Sequence, residues 1–357
     1  MAKQLLKGNY AIAEAALRAG VRFYAGYPIT PQSEIPEYIA AHIWDLGGAF
    51  VQGESEVASI NMVYGAACSG VRAMTSSSGL GMSLKAEGIS YIAGAMLPAL
   101  IMNVSRGGPG LGSIQPAQQD YLQATKAMGH GGFRNIVLAP YTVQEAVDLI
   151  YNYAFQLAER DRNPVVMLLD GCLGVGMEEV ELPPYKELPE KRPDWALGNF
   201  GESGPHKTRI ISSIFSEDLN EMLNKRAAGI YKSWEANDVQ VEEYMVEDAE
   251  YVIVAYGMTA RIAKYCIGVL RSEGVKIGLI RPITLFPFPK ASFNKLDYNQ
   301  VKAIIDLEMA IPAQMVDDIQ LQVKERVPIL TFGRSGGNTM KNEETLDAVR
   351  KLIGGVK

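Results

Sequence analysis

Cysteine is scarce: Cys68, Cys172 and Cys266 are the three in 357 residues, each roughly a hundred positions from the next. No Cys-x-x-Cys pair exists to seed a zinc or iron–sulfur centre, so no cluster of its own is expected. Histidine is equally rare. His42, His130 and His206 stand without an HExxH or any ligand spacing, and are expected to be surface or packing residues, with no metal site. Apolar runs stay well short of the roughly 18 residues a bilayer span needs. The amino-terminal MAKQLLKGNYAIAEAALRAG lacks the apolar block and cleavage site of a signal peptide, so a cytoplasmic protein without membrane attachment is expected. Basic charge is in deficit: 34 Lys and Arg face 40 Asp and Glu, a net of −6, which excludes a nucleic-acid footprint. Several nucleotide-binding and hydrolase signatures are missing too. There is no GxGxxG after a strand, no GxxxxGK[ST] and no GxSxG.

What is present is ordinary globular composition, 48% hydrophobic and 21% charged, in a chain long enough for two domains at roughly 100 to 200 residues each. Residues 1–178 alternate short β-prone runs with amphipathic stretches. Strands are expected at 21–27, 49–52, 71–78, 97–105, 134–140 and 163–170, several of them apolar on both faces, as buried parallel strands must be. Thr142-Val-Gln-Glu145 has the form of a capping box and opens a helix to about Arg160. Repeated βα units imply a doubly wound parallel sheet. Residues 179–246 read as a connector: Pro183, Pro184, Pro189 and Pro193, then a charged helix from Glu217 to about Glu247. Residues 247–357 repeat the βα pattern on a smaller scale, with strands at 249–257, 275–282, 301–308 and 327–334 and helices from Thr259 and Ala313.

Chemistry is sought at the carboxyl ends of strands, where open α/β sheets place ligands. Three glycine-rich loops sit there: Gly26-Tyr-Pro-Ile-Thr-Pro31, Ser76-Ser-Ser-Gly-Leu-Gly81 and Arg106-Gly-Gly-Pro-Gly-Leu-Gly112. Such loops let backbone approach a ligand, and Arg106 offers a bidentate fork for a carboxylate or phosphate. Taken alone, Arg106 also fits a solvated loop arginine and Thr30 a turn cap. The acidic pair in Gln52-Gly-Glu-Ser-Glu56 enters VASINMVYGAACSG, a nearly uncharged helix expected to be buried. A carboxylate desolvated at its mouth would have its protonated form within reach near neutral pH. The plainer alternative is that Glu54 and Glu56 cap the helix, worth about 0.3 to 1 kcal/mol each.

Taken together, Tyr27-Pro-Ile-Thr-Pro31, Glu56 nine residues before Gly65-Ala66, the SSSGLG loop, Leu97-Pro98 and Arg106-Gly-Gly-Pro-Gly-Leu-Gly112 resemble the alpha subunit of a 2-oxoacid:ferredoxin oxidoreductase. Ala255-Tyr-Gly257 with Ala260-Arg-Ile-Ala263, Gly278-Leu-Ile-Arg-Pro-Ile-Thr-Leu-Phe-Pro287 and Gly333-Arg-Ser-Gly-Gly337 extend the likeness over nearly the whole chain. The resemblance implies a pyrimidine-binding thiamine-diphosphate domain at 1–178, the connector, and a transketolase C-terminal-like α/β domain at 247–357. Such enzymes bind thiamine diphosphate between two chains. The diphosphate half needs a Gly-Asp-Gly motif that this sequence lacks, so Mg2+ is expected only in a partner. Glu56 matches the family glutamate on the pyrimidine nitrogen, whose proton work drives the imino tautomer. Tyr27, Pro28 and Gly79 fall in the cofactor-facing motifs. Thr30 and Arg106 match the positions that hold the 2-oxoacid. The implied reaction is CoA-dependent oxidative decarboxylation to acyl-CoA and CO2 with reduction of ferredoxin. It implies a thiamine-diphosphate-binding beta subunit, a ferredoxin-like subunit carrying [4Fe-4S] clusters, and a small gamma subunit.

For the substrate, relatives acting on 2-oxoglutarate carry Gly-Pro-Ser-Thr-Gly where this chain has Gly108-Pro-Gly-Leu-Gly112. Leu111 puts an apolar group where a distal carboxylate would go unpaired. Ser113-Ile-Gln-Pro-Ala-Gln-Gln-Asp-Tyr121 also resembles the branched-chain (2-oxoisovalerate) enzymes, which is the favoured expectation, with 2-oxoglutarate as the alternative. A non-redox thiamine-dependent lyase or synthase and a non-catalytic assembly subunit are the rival classes. One departure stands out: Met309-Ala-Ile-Pro-Ala-Gln-Met315 lacks the Asn and Gly the family often shows in this turn.

Overall fold

A computed structural model describes residues 3–189, 191–197 and 216–356. His206 and the 198–215 part of the connector lie outside them. An eight-stranded sheet organises the first half among the described residues. Its order runs Thr284–Phe286, Ile136–Leu138, Pro164–Asp170, Ala99–Gly107, Ala73–Ser77, Phe23–Gly26, Ala49–Gln52, and Ser113–Pro116 pairs back on the end of Ala99–Gly107. Phe23–Gly26 runs parallel to a neighbour on either side. Because the chain first turns to Ala49–Gln52 and then crosses over to Ala73–Ser77, the order reverses there. That reversal opens a crevice at the strands' carboxyl ends, from which the three glycine-rich loops leave.

The doubly apolar strands are explained by two cores. Leu100, Met102 and Val104 enter one core while Ala99 and Ile101 enter the other; Val165, Met167 and Leu169 alternate likewise with Val166 and Leu168. Thr142 caps its helix by accepting from the Glu145 N–H at 3.0 Å. The Glu145 carboxylate reaches back to the Tyr141 N–H rather than to the cap residue, and it also takes a two-point contact from Arg281 at 2.9 Å. The charged helix ends at Asn237, earlier than its composition suggests, and Val241–Tyr244 forms a strand antiparallel to Ile277–Pro282. Charge patterning does not distinguish an exposed helix end from an edge strand, which decides the difference.

The second half forms a five-stranded sheet in the order Val241–Tyr244, Ile277–Pro282, Tyr251–Val254, Ala303–Glu308, Ile329–Gly333. Its own order reverses at Tyr251–Val254, and that crevice is filled by Gln118 from the first half. Gln118 donates to the Tyr256 carbonyl at 2.8 Å and accepts from the Met309 N–H at 2.9 Å. Gln314 closes the joint by donating to the Gln119 carbonyl at 2.8 Å and accepting from the Leu122 N–H at 3.0 Å.

Asp306 and Glu308, fully buried on the same strand, carry a pH signature. Burial raises both carboxyls, and the Glu308 charge raises Asp306 further. A raised folded-state value means the native chain holds protons that the unfolded chain releases. The stabilisation is therefore complete below the ordinary carboxyl range of about 4 and is lost as pH rises through the raised values. Asp306→Asn removes one titration at constant shape. Its thermal midpoint is expected to fall less than the wild type's between about pH 5 and pH 8, by the equivalent of on the order of 1 kcal/mol. Parallel midpoint curves for the two proteins would refute this.

Candidate functional site

The Glu56 position is set by its neighbour. Ser55 caps the helix Glu56–Cys68, its hydroxyl accepting from the Ala58 N–H at 3.1 Å. Neither Glu54 nor Glu56 performs the capping that composition alone allowed. Glu54 is exposed, whereas Glu56 is 5% exposed at the first helical position. Its Oε1 lies 2.7 Å from where a side chain on Gly81 would begin, so the bare backbone of the neighbouring helix Leu80–Gly94 leaves the space Glu56 occupies. Not all of the Glu56–Cys68 helix is covered: Val57, Asn61 and Gly65 are exposed on one face.

Sequence reasoning missed Lys85, which stands four residues past Gly81 in the same helix with no exposure. It donates to the Thr75 hydroxyl at 3.0 Å, and that hydroxyl donates to the Ala25 carbonyl at 2.7 Å. Burial pushes the Lys85 ammonium down to about 8, and the Glu56 carboxylate pulls partly the other way. The signal was available as a lone charge on the inward face of an apolar helix.

Arg106 is 6% exposed and bridges two loops. One guanidinium nitrogen donates to the Thr30 carbonyl and the other to the Leu111 carbonyl, each at 3.0 Å. Gly79, at φ +50, turns into the helix Leu80–Gly94 and donates its N–H to Asp120 at 3.2 Å. A Cβ there would meet Arg106 only in ordinary contact, 3.6 Å from its Cγ, so it is the left-handed backbone that calls for glycine. Asp120 is buried, and burial raises its carboxyl against the opposing pull of Asn103, the Gly79 N–H and Arg106. It too was missed as an individual residue.

Arg106, Gly79 and Asp120 line one cleft of about 410 Å3, whose apolar lining comes from Leu80, Pro109, Ile311 and Pro312. The turn that departs from the family pattern is therefore a wall of this cleft. Tyr27, Pro28 and Thr30 are exposed and do not line it, and Thr30 is tied to it through the carbonyl that Arg106 holds. Leu111 stands apart from the expectation: its carbonyl is held by Arg106, but its side chain is 80% exposed and does not line the cleft. Beneath, the Ser77 and Ser78 hydroxyls are buried without a partner in this chain. A buried carboxylate and unsatisfied hydroxyls fit the polar edge of an aminopyrimidine. Among the described residues no group of three or more His, Cys, Asp or Glu side chains is placed to hold a metal ion. No helix of these residues is long and apolar enough to cross a membrane.

Residues 14–245 match the family described as pyruvate flavodoxin/ferredoxin oxidoreductase, thiamine diP-binding, and residues 249–345 match pyruvate:ferredoxin oxidoreductase core domain II. The chain belongs to the 2-oxoacid:ferredoxin oxidoreductases, as an alpha-type subunit. These are oxidoreductases with ferredoxin as acceptor, and the matched first domain binds thiamine diphosphate. Among its relatives is ketoisovalerate oxidoreductase subunit VorB of Methanothermobacter marburgensis, 46% identical over 99% of both chains. The 2-oxoglutarate synthase subunit KorA of Methanocaldococcus jannaschii is 32% identical over 98% of this chain and 100% of its own. A solved 2-oxoglutarate:ferredoxin oxidoreductase from Magnetococcus marinus superposes with a TM-score of 0.84 at 24% identity, over 98% of this chain and 65% of that one. A split-gene transketolase gives 0.57 at 12% identity, over 98% of each. These two likenesses concern the fold, a doubly wound α/β domain followed by a smaller transketolase-like one.

Proposed function

We propose that this chain is the pyrimidine-side subunit of an oxidoreductase that converts branched-chain 2-oxoacids, 2-oxoisovalerate foremost, with CoA to acyl-CoA and CO2 while reducing ferredoxin. The observation that carries the reading is the buried Glu56 carboxylate at the same carboxyl end of the parallel sheet as the Arg106 cleft, in a chain 46% identical to a ketoisovalerate oxidoreductase subunit over 99% of both.

When bound, thiamine diphosphate supplies the carbanion-stabilising centre that decarboxylation needs. The protein's part is positioning and proton control. Glu56 holds a proton at the pyrimidine ring nitrogen through a carboxyl oxygen, in a pocket desolvated by the two helices around it. Tyr27, Pro28 and Gly79 shape the edge against which the ring rests. Arg106 takes the 2-oxoacid carboxylate, and the Thr30 hydroxyl sits beside the oxo group. The aliphatic side chain meets Leu80, Pro109, Ile311 and Pro312, where a second carboxylate would lose its hydration unpaired. Leu111 contributes its carbonyl to hold Arg106, while its side chain stays outside this wall.

With no Gly-Asp-Gly in this chain, the diphosphate and Mg2+ fall to a thiamine-diphosphate-binding beta subunit. The exposed uncharged face of Val57, Asn61 and Gly65 is the surface offered to it. Three scattered cysteines leave the [4Fe-4S] clusters to a ferredoxin-like subunit, with a small gamma subunit completing a cytoplasmic complex.

CoA-dependent viologen reduction by the tagged complex with added thiamine diphosphate tests the assignment across 2-oxoisovalerate, 2-oxoisocaproate, 2-oxoglutarate, pyruvate and indolepyruvate. The branched substrates are expected to lead by roughly 10- to 100-fold in kcat/KM. Preference for 2-oxoglutarate would keep the reaction and overturn the substrate. Inactivity across the panel with all partners present would favour a non-redox or assembly role.

A further inference from the structure

Gly333-Arg-Ser-Gly-Gly337 is a motif of the second half that the chemistry above leaves without a task, and its loop lies against the loop of Arg106. We propose that it takes part in selecting the 2-oxoacid: Ser335, acting through the Gln119 side chain, is a positioning residue that holds the 106–112 loop in its substrate-binding shape. This inference rests on the reading of the Arg106 cleft given above.

The loop to be held has little stiffness of its own. Gly107, Gly108, Gly110 and Gly112 fill four of the six positions after Arg106, and glycine gives up more conformational freedom on ordering than any other residue. A guanidinium that receives a carboxylate must be held to within about 0.5 Å, so specific contacts have to supply the order. Arg106 makes one of them, to the Leu111 carbonyl. Gln119 makes another: its Oε1 accepts from the Gly108 N–H at 2.6 Å, next to Pro109 in the cleft wall.

Gln119 is in turn fixed from the second half. Its Nε2 donates to the Ser335 hydroxyl at 3.1 Å, and its backbone carbonyl accepts from the Gln314 Nε2 at 2.8 Å. The amide then has one orientation that suits, because the reverse would set its NH2 against the Gly108 N–H. Ser335 stands just past the strand Ile329–Gly333, where its carbonyl accepts from the Asn338 N–H at 3.1 Å and from the Asn338 Nδ2 at 3.0 Å. The two loops touch backbone to backbone. A Cβ on Gly107 would lie 3.0 Å from the Gly337 nitrogen, and one on Gly337, at φ +91, would lie 2.5 Å from the Gln115 Cβ and 2.7 Å from the Ser113 Oγ. A side chain at either place would push the loops apart, so this close approach is what brings the Ser335 hydroxyl within reach of Gln119. Ser335 does not line the cleft but Gln119 does, so the effect on substrate passes through the glutamine.

In the assembled complex, Ser335→Ala is expected to raise KM for the leading 2-oxoacid by roughly threefold to tenfold, the effect of one hydrogen bond. Turnover at saturation and the affinities for thiamine diphosphate and CoA should stay at wild type, since the lost contact bears on substrate binding alone. Ser335→Thr, which keeps a hydroxyl, should keep the wild-type KM. A double-mutant cycle reads the route: in a Gln119→Leu background, Ser335→Ala should add nothing. Hydrogen exchange in the substrate-free complex gives a readout apart from turnover, and the peptide containing Gly108 should exchange faster in Ser335→Ala than in wild type.

An unchanged KM, or unchanged exchange at that peptide, would overturn the proposal, as would a KM effect that persists in full in the Gln119→Leu background. Arg106→Lys separates the two levels of inference. If it leaves KM unchanged, the reading of the cleft falls and this inference with it. If it raises KM while Ser335→Ala does not, only the role of Ser335 falls.

Discussion

Replacing Glu56 by alanine is expected to lower CoA-dependent 2-oxoacid oxidation by about 10²- to 10⁴-fold, the range spanned by loss of a positioned proton-transfer group. The fold should survive. Ser55 supplies the helix cap, and the side chain removed is a desolvated carboxylate whose loss relieves a burial cost. Glu56→Gln distinguishes charge from shape, since the amide fills the same space beside Gly81 but cannot give up a proton in the same way. Glu54→Ala is the internal control: it is exposed and its removal should change turnover less than twofold, within the usual scatter for surface positions. Viologen-linked rates with saturating thiamine diphosphate decide the matter. Near-wild-type turnover in Glu56→Ala would remove this chain from the chemistry and leave it an assembly subunit.

Arg106→Lys is expected to lower kcat/KM for the 2-oxoacid by roughly 10- to 100-fold, mostly through KM, while thiamine diphosphate binding stays close to wild type. The guanidinium holds the Thr30 and Leu111 carbonyls from two different nitrogens, and Arg106 lines the cleft. A lysine ammonium is a point charge and cannot span both carbonyls while meeting a carboxylate. Each charge-assisted hydrogen bond is worth about 1.5 to 3 kcal/mol. The two loops should also loosen, so the preference among 2-oxoacids is expected to narrow along with the affinity. Substrate KM values, with cofactor titrations alongside, provide the check. An unchanged KM would mean that Arg106 serves loop structure alone.

Much of this was legible because short-range patterns carry it. The continuous apolar runs at 97–105 and 163–170 could only be buried on both faces, and the two cores show that they are. The loops at 26–31, 76–81 and 106–112 could be placed at strand ends because strand and turn signals lie next to each other in the chain. Other features were not legible, for reasons of distance. Thr284–Phe286 belongs by sequence to the second half yet pairs with Ile136–Leu138 at the edge of the first sheet. Ile311 and Pro312 reach the cleft beside Arg106 from two hundred residues away, because Gln118 docks in the crevice of the second sheet.

The glutamate shows the division most clearly. Residue type and position in Gln52-Gly-Glu-Ser-Glu56 narrowed the choice to two carboxylates but could not separate them, since either could have capped the helix. Burial separated them, through the packing of one helix against another at Gly81. By itself, then, the sequence determined the strand and helix alphabet, the glycine loops, the candidate residues and the lack of any cluster-binding cysteine pattern, all properties of local spacing. Only the tertiary structure decided which carboxylate is buried, that a lysine of the neighbouring helix is buried as well, and that the Leu111 side chain stands outside the cleft. Desolvation and charge proximity arise where elements distant in the chain meet, and no local pattern encodes that meeting.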